Sequence, residues 1–193
     1  ASLLASAVEN GCGGLVSFGV AGGLHPDVKP GDCIVASAVL SGANRIPTDT
    51  RWSQNLIETV PDTMLGLLAG VNAPVATPET KRALHQETGA IAVDMESHIV
   101  ATVAARHAIP MAAIRVITDP AARALPRSAI GAMRADGTTD VAAMLRLLVK
   151  NPGELPKILQ TAFDARAART TLRRGRHLLG PSLGQPSLEL DVA

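Results

Sequence analysis

Short apolar runs, each bounded by glycine, proline or an acidic residue and separated by helical patterns, constrain this chain more than any other feature. Gly14-Leu15-Val16-Ser17-Phe18 reads as a buried strand that closes on Gly19-Val20-Ala21-Gly22-Gly23. Asp32 to Val39 is a second strand, entered through the turn Lys29-Pro30-Gly31, and Met64 to Val71 can form a third. Ala90-Ile91-Ala92-Val93 is short and apolar, and Ala112 to Ile117 returns as another buried strand after Pro110. Residues 2–10 read as a helix stopped by Gly11. Thr77-Pro78-Glu79-Thr80 opens another, with Thr77 as N-cap, and the stretch from Met95 to His107 is helical in pattern. Strands alternating with helices argue for an α/β domain with a largely parallel sheet. Residues 41–63, polar and holding Pro47 and Pro61, are expected to be a long surface excursion.

Composition narrows the class. With 193 residues, 47% hydrophobic and a net charge of +1, the chain can bury a sizeable core and is not disordered as a whole. No apolar run approaches the length of a membrane span, and no secretory leader is expected. Aromatic residues are 2% of the chain (Phe18, Phe163, Trp52 and no Tyr), which removes the stacking platforms that single-stranded nucleic acid requires; no nucleic-acid partner is expected. Cys12 and Cys33 form neither a disulfide framework nor a zinc pattern and are expected to be free thiols of a cytosolic protein.

Charge is unevenly spread. Residues 1–145 hold 10 basic and 13 acidic side chains, whereas residues 146–177 hold 8 basic and 2 acidic, and the last sixteen add −2. Within that basic segment Leu155, Ile158, Leu159, Ala162 and Phe163 recur at helical spacing, followed by Arg166, Arg169, Arg173, Arg174 and Arg176. Two readings are open. The stripe packs on the domain and the arginines form a solvated face, or the helix lies at an anionic membrane surface. The organisation expected is a domain over 1–150, an amphipathic basic helical extension over 151–179 and a flexible tail over 180–193.

In a sheet of this kind, chemistry gathers in the loops that leave the carboxyl ends of strands, and three qualify. The glycine cluster after Phe18 is either a tight strand-to-helix turn or a small-residue loop whose backbone N–H groups let a sugar or phosphate approach. Asp94-Met95-Glu96 offers two carboxylates, of which at most one is expected to face a pocket. A carboxylate there can accept both hydroxyls of a ribose diol, or the pair can simply be an N-cap Asp and a first-turn Glu. Asp119, at the mouth of a buried strand and before Pro120, is either a proton donor near neutrality or an Asp-Pro turn. His25, His85 and His177 read as surface residues, and structural roles suit His98 and His107 better than catalysis.

Taken together, Ser-Phe-Gly-Val-Ala-Gly-Gly-Leu (17–24), Pro-Gly-Asp-Cys-Ile-Val (30–35), Ala-Val-Asp-Met-Glu-Ser (92–97) and Ile-Arg-Val-Ile-Thr-Asp (114–119) resemble, in order and spacing, the purine nucleoside phosphorylase and methylthioadenosine/adenosylhomocysteine nucleosidase superfamily. The resemblance covers about residues 2–150. Leu-Arg-Leu-Leu-Val-Lys-Asn-Pro-Gly-Glu-Leu (145–155) and the Arg-rich continuation look most like its hopanoid-associated phosphorylase branch, linked to removing adenine from adenosylhopane. The resemblance implies a mixed central sheet flanked by helices, and cleavage of the N-glycosidic bond of an adenosine-type nucleoside. Glu96 would bind the ribose 2′- and 3′-hydroxyls, Met95 would pack on the sugar, and Asp119 would be the acid at purine N7. Val20, Ala21, Gly22 and Thr118 would complete the substrate contacts, and Val75 falls near the position whose backbone meets the purine edge, although the aromatic that commonly stacks on the base is missing from residues 70–76.

The implied chemistry needs no metal or organic cofactor, with inorganic phosphate as a candidate co-substrate. A homo-oligomer in the cytoplasm, peripheral to the inner membrane if the substrate is a nucleoside lipid, is implied as well. The family's first strands, which carry the phosphate loop of phosphorylases or the water-activating Glu of nucleosidases, are expected to be missing before Ala1. Ser17 and Val20 stand where phosphorolytic relatives commonly have Arg and Ser phosphate ligands, which leaves phosphorolysis and hydrolysis both open. The alternatives are a methylthioadenosine/S-adenosylhomocysteine nucleosidase and, from another class, a non-catalytic nucleoside-binding protein on the same fold.

Overall fold

A computed structural model describes residues 2–126, 153 and 155–186 of the chain. The apolar runs become β1 (Leu15–Gly23), β2 (Cys33–Ser41), β4 (Thr63–Gly70), β5 (Ala92–Asp94) and β6 (Met111–Asp119), joined by a short β3 (Asn44–Pro47). Helix α1 (Ser2–Glu9) precedes them; α2 (Thr50–Thr59), α3 (Pro78–Thr88) and α4 (Ser97–Arg106) lie between strands, and α5 (Leu155–Leu179) follows. The start of α3 is set locally, as the sequence suggested. Thr77 and Thr80 form a reciprocal capping box with Pro78 in the first turn, and Gly89 ends the helix at φ 71°, a conformation that costs a glycine little.

The sheet runs β3-β2-β4-β5-β1-β6 and then closes, because β2 also pairs with β6. The first half of β2 takes β6 as its neighbour (Cys33 opposite Val116, Val35 opposite Ile114), and its second half takes β3 on that side. A register shift between Ala36 and Ala38 lets one strand serve both, as bulges bend a strand. The result is a closed, mixed sheet. Pairs β1–β6, β2–β4 and β4–β5 are parallel, while β1–β5, β2–β3 and β2–β6 are antiparallel, so the alternation-based expectation of a largely parallel sheet is corrected. The mixed sheet flanked by helices is the architecture the resemblance implied.

Closure buries β6 on both faces. Ala113 and Ile117 join the cluster under α4, whereas Ala112, Ile114 and Val116 join the one under α2 and α5. The excursion expected over 41–63 is therefore wrong in kind. It forms β3 and α2, and the side chains of Trp52 and Leu56, with Val60 at the end of the helix, recur every four residues on the face that covers the sheet. Asp49 caps α2 by accepting from the Trp52 N–H at 2.8 Å.

Helix α5 packs on the sheet through Ala168, Leu172 and Leu179. The apolar stripe that starts the helix faces outward instead: Leu155, Leu159 and Phe163 are 46%, 50% and 69% exposed. The reading in which that stripe covers the core is thus corrected; Ala168, Leu172 and Leu179, further along the helix, do the packing. Residues 180–185, expected to fray, are pinned. The Trp52 indole donates to the Leu183 carbonyl, and the Asn55 side chain donates to that of Gly184. The expected boundary near residue 150 and the rest of the tail, 187–193, lie outside the described residues. Among those described, no helix is long and apolar enough to cross a membrane.

Candidate active site

The carboxyl ends of β1, β5 and β6 converge on one cleft of about 180 Å³, completed by the segment after β4. Val20, Ala21 and Gly22 come from β1, Met95 and Glu96 follow β5, Thr118 and Asp119 end β6, and Val75 belongs to the segment after β4. All eight site residues expected from sequence therefore line a single cavity. Val71, Pro74 and Leu125 add apolar wall that the sequence did not reveal.

The two carboxylates of the Asp94-Met95-Glu96 corner divide their tasks, although both reach the cleft lining. Asp94 is 5% exposed; its Oδ1 accepts from the Ser97 N–H at 3.0 Å at the start of α4, while its Oδ2 accepts from the Ser97 hydroxyl and from Arg115 Nε. Glu96, with its side chain 59% exposed, stands at the mouth of the cleft, 3.6 Å from Arg115 Nη2. The reading of an N-cap Asp and a first-turn Glu is therefore corrected: Glu96 itself is the N-cap residue of α4, without a side-chain cap bond, and Asp94 accepts the Ser97 N–H from outside the helix, which leaves the Glu96 carboxylate open to hydrogen-bond donors.

Arg115 sits in the middle of β6 and is 3% exposed, yet its guanidinium is well partnered. Nη2 donates to the Ser17 hydroxyl at 2.6 Å and to Ser97 at 3.0 Å. A buried arginine needs such partners, because an unpaired buried charge is costly. Ser17 has its hydroxyl buried in this network. A Cβ on Gly19 would lie 2.3 Å from Arg115 Nη1, and one on Gly22 would lie 3.1 Å from Asp119 Oδ2. The glycine cluster thus makes room for a guanidinium and a carboxylate, a use of glycine that needs no unusual φ.

Asp119 is 7% exposed and accepts from Lys81 Nζ at 2.5 Å and from the Thr118 hydroxyl at 2.9 Å. Lys81, on α3, is 1% exposed and also donates to the carbonyls of Pro120 and Arg123. Sequence reasoning missed both cations. For Arg115 a signal existed, since a charge inside an apolar strand must have a partner. For Lys81 there was none: Glu79-Thr80-Lys81-Arg82 reads as a solvated helix face.

The remaining expected groups lie apart from the cleft. His25 and His85 meet edge to face at 5.1 Å between ring centroids, and His98 Nε2 is 3.0 Å from the Asn72 side-chain oxygen. Both cysteines are free; burial pushes the Cys33 thiol up, against a lowering hydrogen bond with Thr63, which leaves it a poor nucleophile. Among the described residues no group of three or more His, Cys, Asp or Glu is placed to hold a metal ion.

The chain is thus an α/β protein with a closed mixed sheet and, at its strand ends, a cleft lined by Asp94, Glu96 and Asp119 beside an apolar wall. Residues 1–151 match the sequence profile of the Phosphorylase superfamily, and the chain belongs to that family. No curated protein matches it. Among solved structures it is similar to the futalosine hydrolase of Helicobacter pylori strain 26695, at 25% identity and TM-score 0.57 over 61% of this chain and 62% of that one. A 5′-methylthioadenosine/S-adenosylhomocysteine nucleosidase from Colwellia psychrerythraea 34H, in complex with adenine, matches at 20% identity and TM-score 0.57 over 63% of this chain and 61% of its own. The S-adenosylhomocysteine nucleosidase of Streptococcus pyogenes, in complex with 5-methylthiotubericidin, matches at 17% identity and TM-score 0.58 over 85% and 73%. The latter two likenesses show the fold. The chain spans less than two thirds of the length of the first two structures.

Proposed function

We propose that this cleft cleaves the N-glycosidic bond of an adenosine-type nucleoside and releases adenine. One observation carries the reading. The half-exposed carboxylate of Glu96 and the buried carboxylate of Asp119 come from different strand ends to the same apolar-walled cavity. Glu96 accepts the ribose 2′- and 3′-hydroxyls while Met95 packs on the sugar, and Asp119 is the acid at purine N7, with Val75 at the base edge. The C1′–N9 bond breaks as a C1′–O bond forms to water or inorganic phosphate; oxocarbenium character grows on the ribose and negative charge on the purine, and the proton given up by the nucleophile reaches N7 by way of the Asp119 carboxyl, so that adenine leaves neutral. Val20, Ala21, Gly22 and Thr118 form the floor. No metal or organic cofactor is needed for these steps, and a homo-oligomer in the cytoplasm is part of the same reading.

Within this class we place adenosylhopane first. A nucleoside lipid has to be met at a bilayer, and α5 presents Leu155, Leu159 and Phe163 outward with exposed Arg166, Arg169 and Arg173 beyond them. Such a face suits an anionic interface, where each basic residue adds about 1 kcal/mol. The second reading, a methylthioadenosine/S-adenosylhomocysteine nucleosidase, is favoured by the structural neighbours.

Adenine release from adenosine, 5′-methylthioadenosine, S-adenosylhomocysteine and adenosylhopane, each with and without phosphate, tests the proposal. Release from none of them would leave a non-catalytic nucleoside-binding protein. Sedimentation with phosphatidylglycerol vesicles tests the lipid part: binding should fall with salt and with Arg173→Glu/Arg174→Glu, and no binding at low salt would remove adenosylhopane from first place.

A further inference from the structure

We propose that Lys81 is the positioning residue for Asp119, holding its carboxylate in the orientation that meets the leaving base; the inference rests on the glycosidic cleavage proposed above. An ammonium group has three donors and no acceptor. Lys81 Nζ has three acceptors around it: Asp119 Oδ2 at 2.5 Å, the Pro120 carbonyl at 2.9 Å and the Arg123 carbonyl at 3.1 Å. Full matching at 1% exposure marks a place built for this cation, since a buried ammonium lacking any of them would carry an uncompensated desolvation cost.

The contacts fix the acid from several sides. Lys81 takes Oδ2, the Thr118 hydroxyl takes Oδ1 at 2.9 Å, and the absence of a Cβ at Gly22 leaves room for the carboxylate against β1. The same ammonium holds two carbonyls of the turn after β6. That turn brings Leu125 to the cleft wall, where its N–H donates to the Ala76 carbonyl at 2.8 Å. One buried charge therefore joins the acid to the wall against which a base would lie. A group acting on a leaving purine has to be aimed within a fraction of an ångström, so a tie of this kind controls the step without touching the substrate.

Leaving-group chemistry separates this role from simple support of the fold. Adenine leaves with help at N7, whereas 4-nitrophenolate departs as a stable anion without a proton. Lys81→Met and Asp119→Asn should each slow adenine release on the order of a hundredfold while 4-nitrophenyl β-D-ribofuranoside cleavage stays within about threefold of the unaltered protein. The Lys81→Met/Asp119→Asn double variant should be no slower than Asp119→Asn alone, because residues acting as one unit are non-additive. It also keeps the comparison available if Lys81→Met, which strands a buried carboxylate, fails to fold. Propylamine, and not 1-propanol, should restore adenine release to Lys81→Ala.

Equal losses on both substrates, additive losses in the double variant, or unchanged adenine release in Lys81→Met would each overturn the assignment. Unchanged release in Asp119→Asn would overturn the cleavage reading itself. A slow Asp119→Asn beside a fast Lys81→Met would overturn only the role of Lys81.

Discussion

Two ion pairs among the described residues are buried, and they bury their carboxylates for different ends. At the Arg115–Asp94 pair the cation rises from a strand, and the carboxylate is used up: it accepts the Ser97 N–H at the start of α4, binds the Ser97 hydroxyl and holds Arg115. At the Lys81–Asp119 pair the cation comes from a helix, and the carboxylate remains in the cleft lining. The first pair organises a corner beside Glu96, which in the proposed function accepts the ribose hydroxyls. The second holds Asp119, the group that in the same proposal meets the leaving base. A buried ion pair is weak evidence for stability as such, but breaking one by removing a single partner is costly. Breaking either pair should therefore cost stability, and the contrast predicts a loss of chemistry beyond that cost only at the second.

The largest effect should come from Arg115→Met. Removing the guanidinium strands Asp94 and two serine hydroxyls, which should destabilise the protein by about 3–5 kcal/mol, read from urea denaturation midpoints. A shift under 1 kcal/mol would mean that the first pair does not organise its corner. Next is Asp119→Asn. The amide is isosteric and keeps an oxygen for Lys81, but it removes the counter-charge of that buried ammonium, so the protein should be less stable, and adenine release per folded molecule should be down on the order of a hundredfold or more. Turnover like that of the unaltered protein would dismiss Asp119 as the acid.

Glu96→Gln should cost less and be selective. One weakened charge-assisted bond is worth about 1.5–3 kcal/mol, so ribonucleosides should lose about tenfold to hundredfold in kcat/KM. The 2′-deoxy analogues should lose less, and equal losses on both would reduce Glu96 to a helix-start residue. Smallest is a difference in thiol reactivity away from both pairs. Thiolate is the reactive form, and burial raises the Cys33 thiol, so at neutral pH a disulfide reagent should modify the half-buried Cys12 first and Cys33 only after unfolding. Simultaneous modification in the native protein would contradict the burial of β2.

Periodicity and punctuation make much of this fold legible in the sequence. The five apolar runs are strands because alternating or continuous burial of β-branched and small residues leaves few other choices, and the Thr77-Pro78 and Gly89 signals act within a few residues of themselves. The cleft residues were legible for a related reason: loops at strand ends carry them, and their motifs stand in order along the chain. Residues 41–63 misled because polar composition hid a stripe with a period of four, Trp52, Leu56 and Val60, that only the adjacent sheet makes meaningful.

Local sequence also determined that Asp94, Glu96 and Asp119 would sit at strand ends, since each directly ends or follows an apolar run. What only the tertiary structure decided is which of these carboxylates stays available. Lys81 is separated from Asp119 by 38 positions and Arg115 from Asp94 by 21, and no local pattern specifies the pairing. The closing contact between β2 and β6, and the docking of α3 against the end of β6, bring those charges out of water together. Coulomb attraction is strong only where water is excluded, so partners of a buried charge are chosen by the packing that surrounds them and not by the residues beside them in sequence.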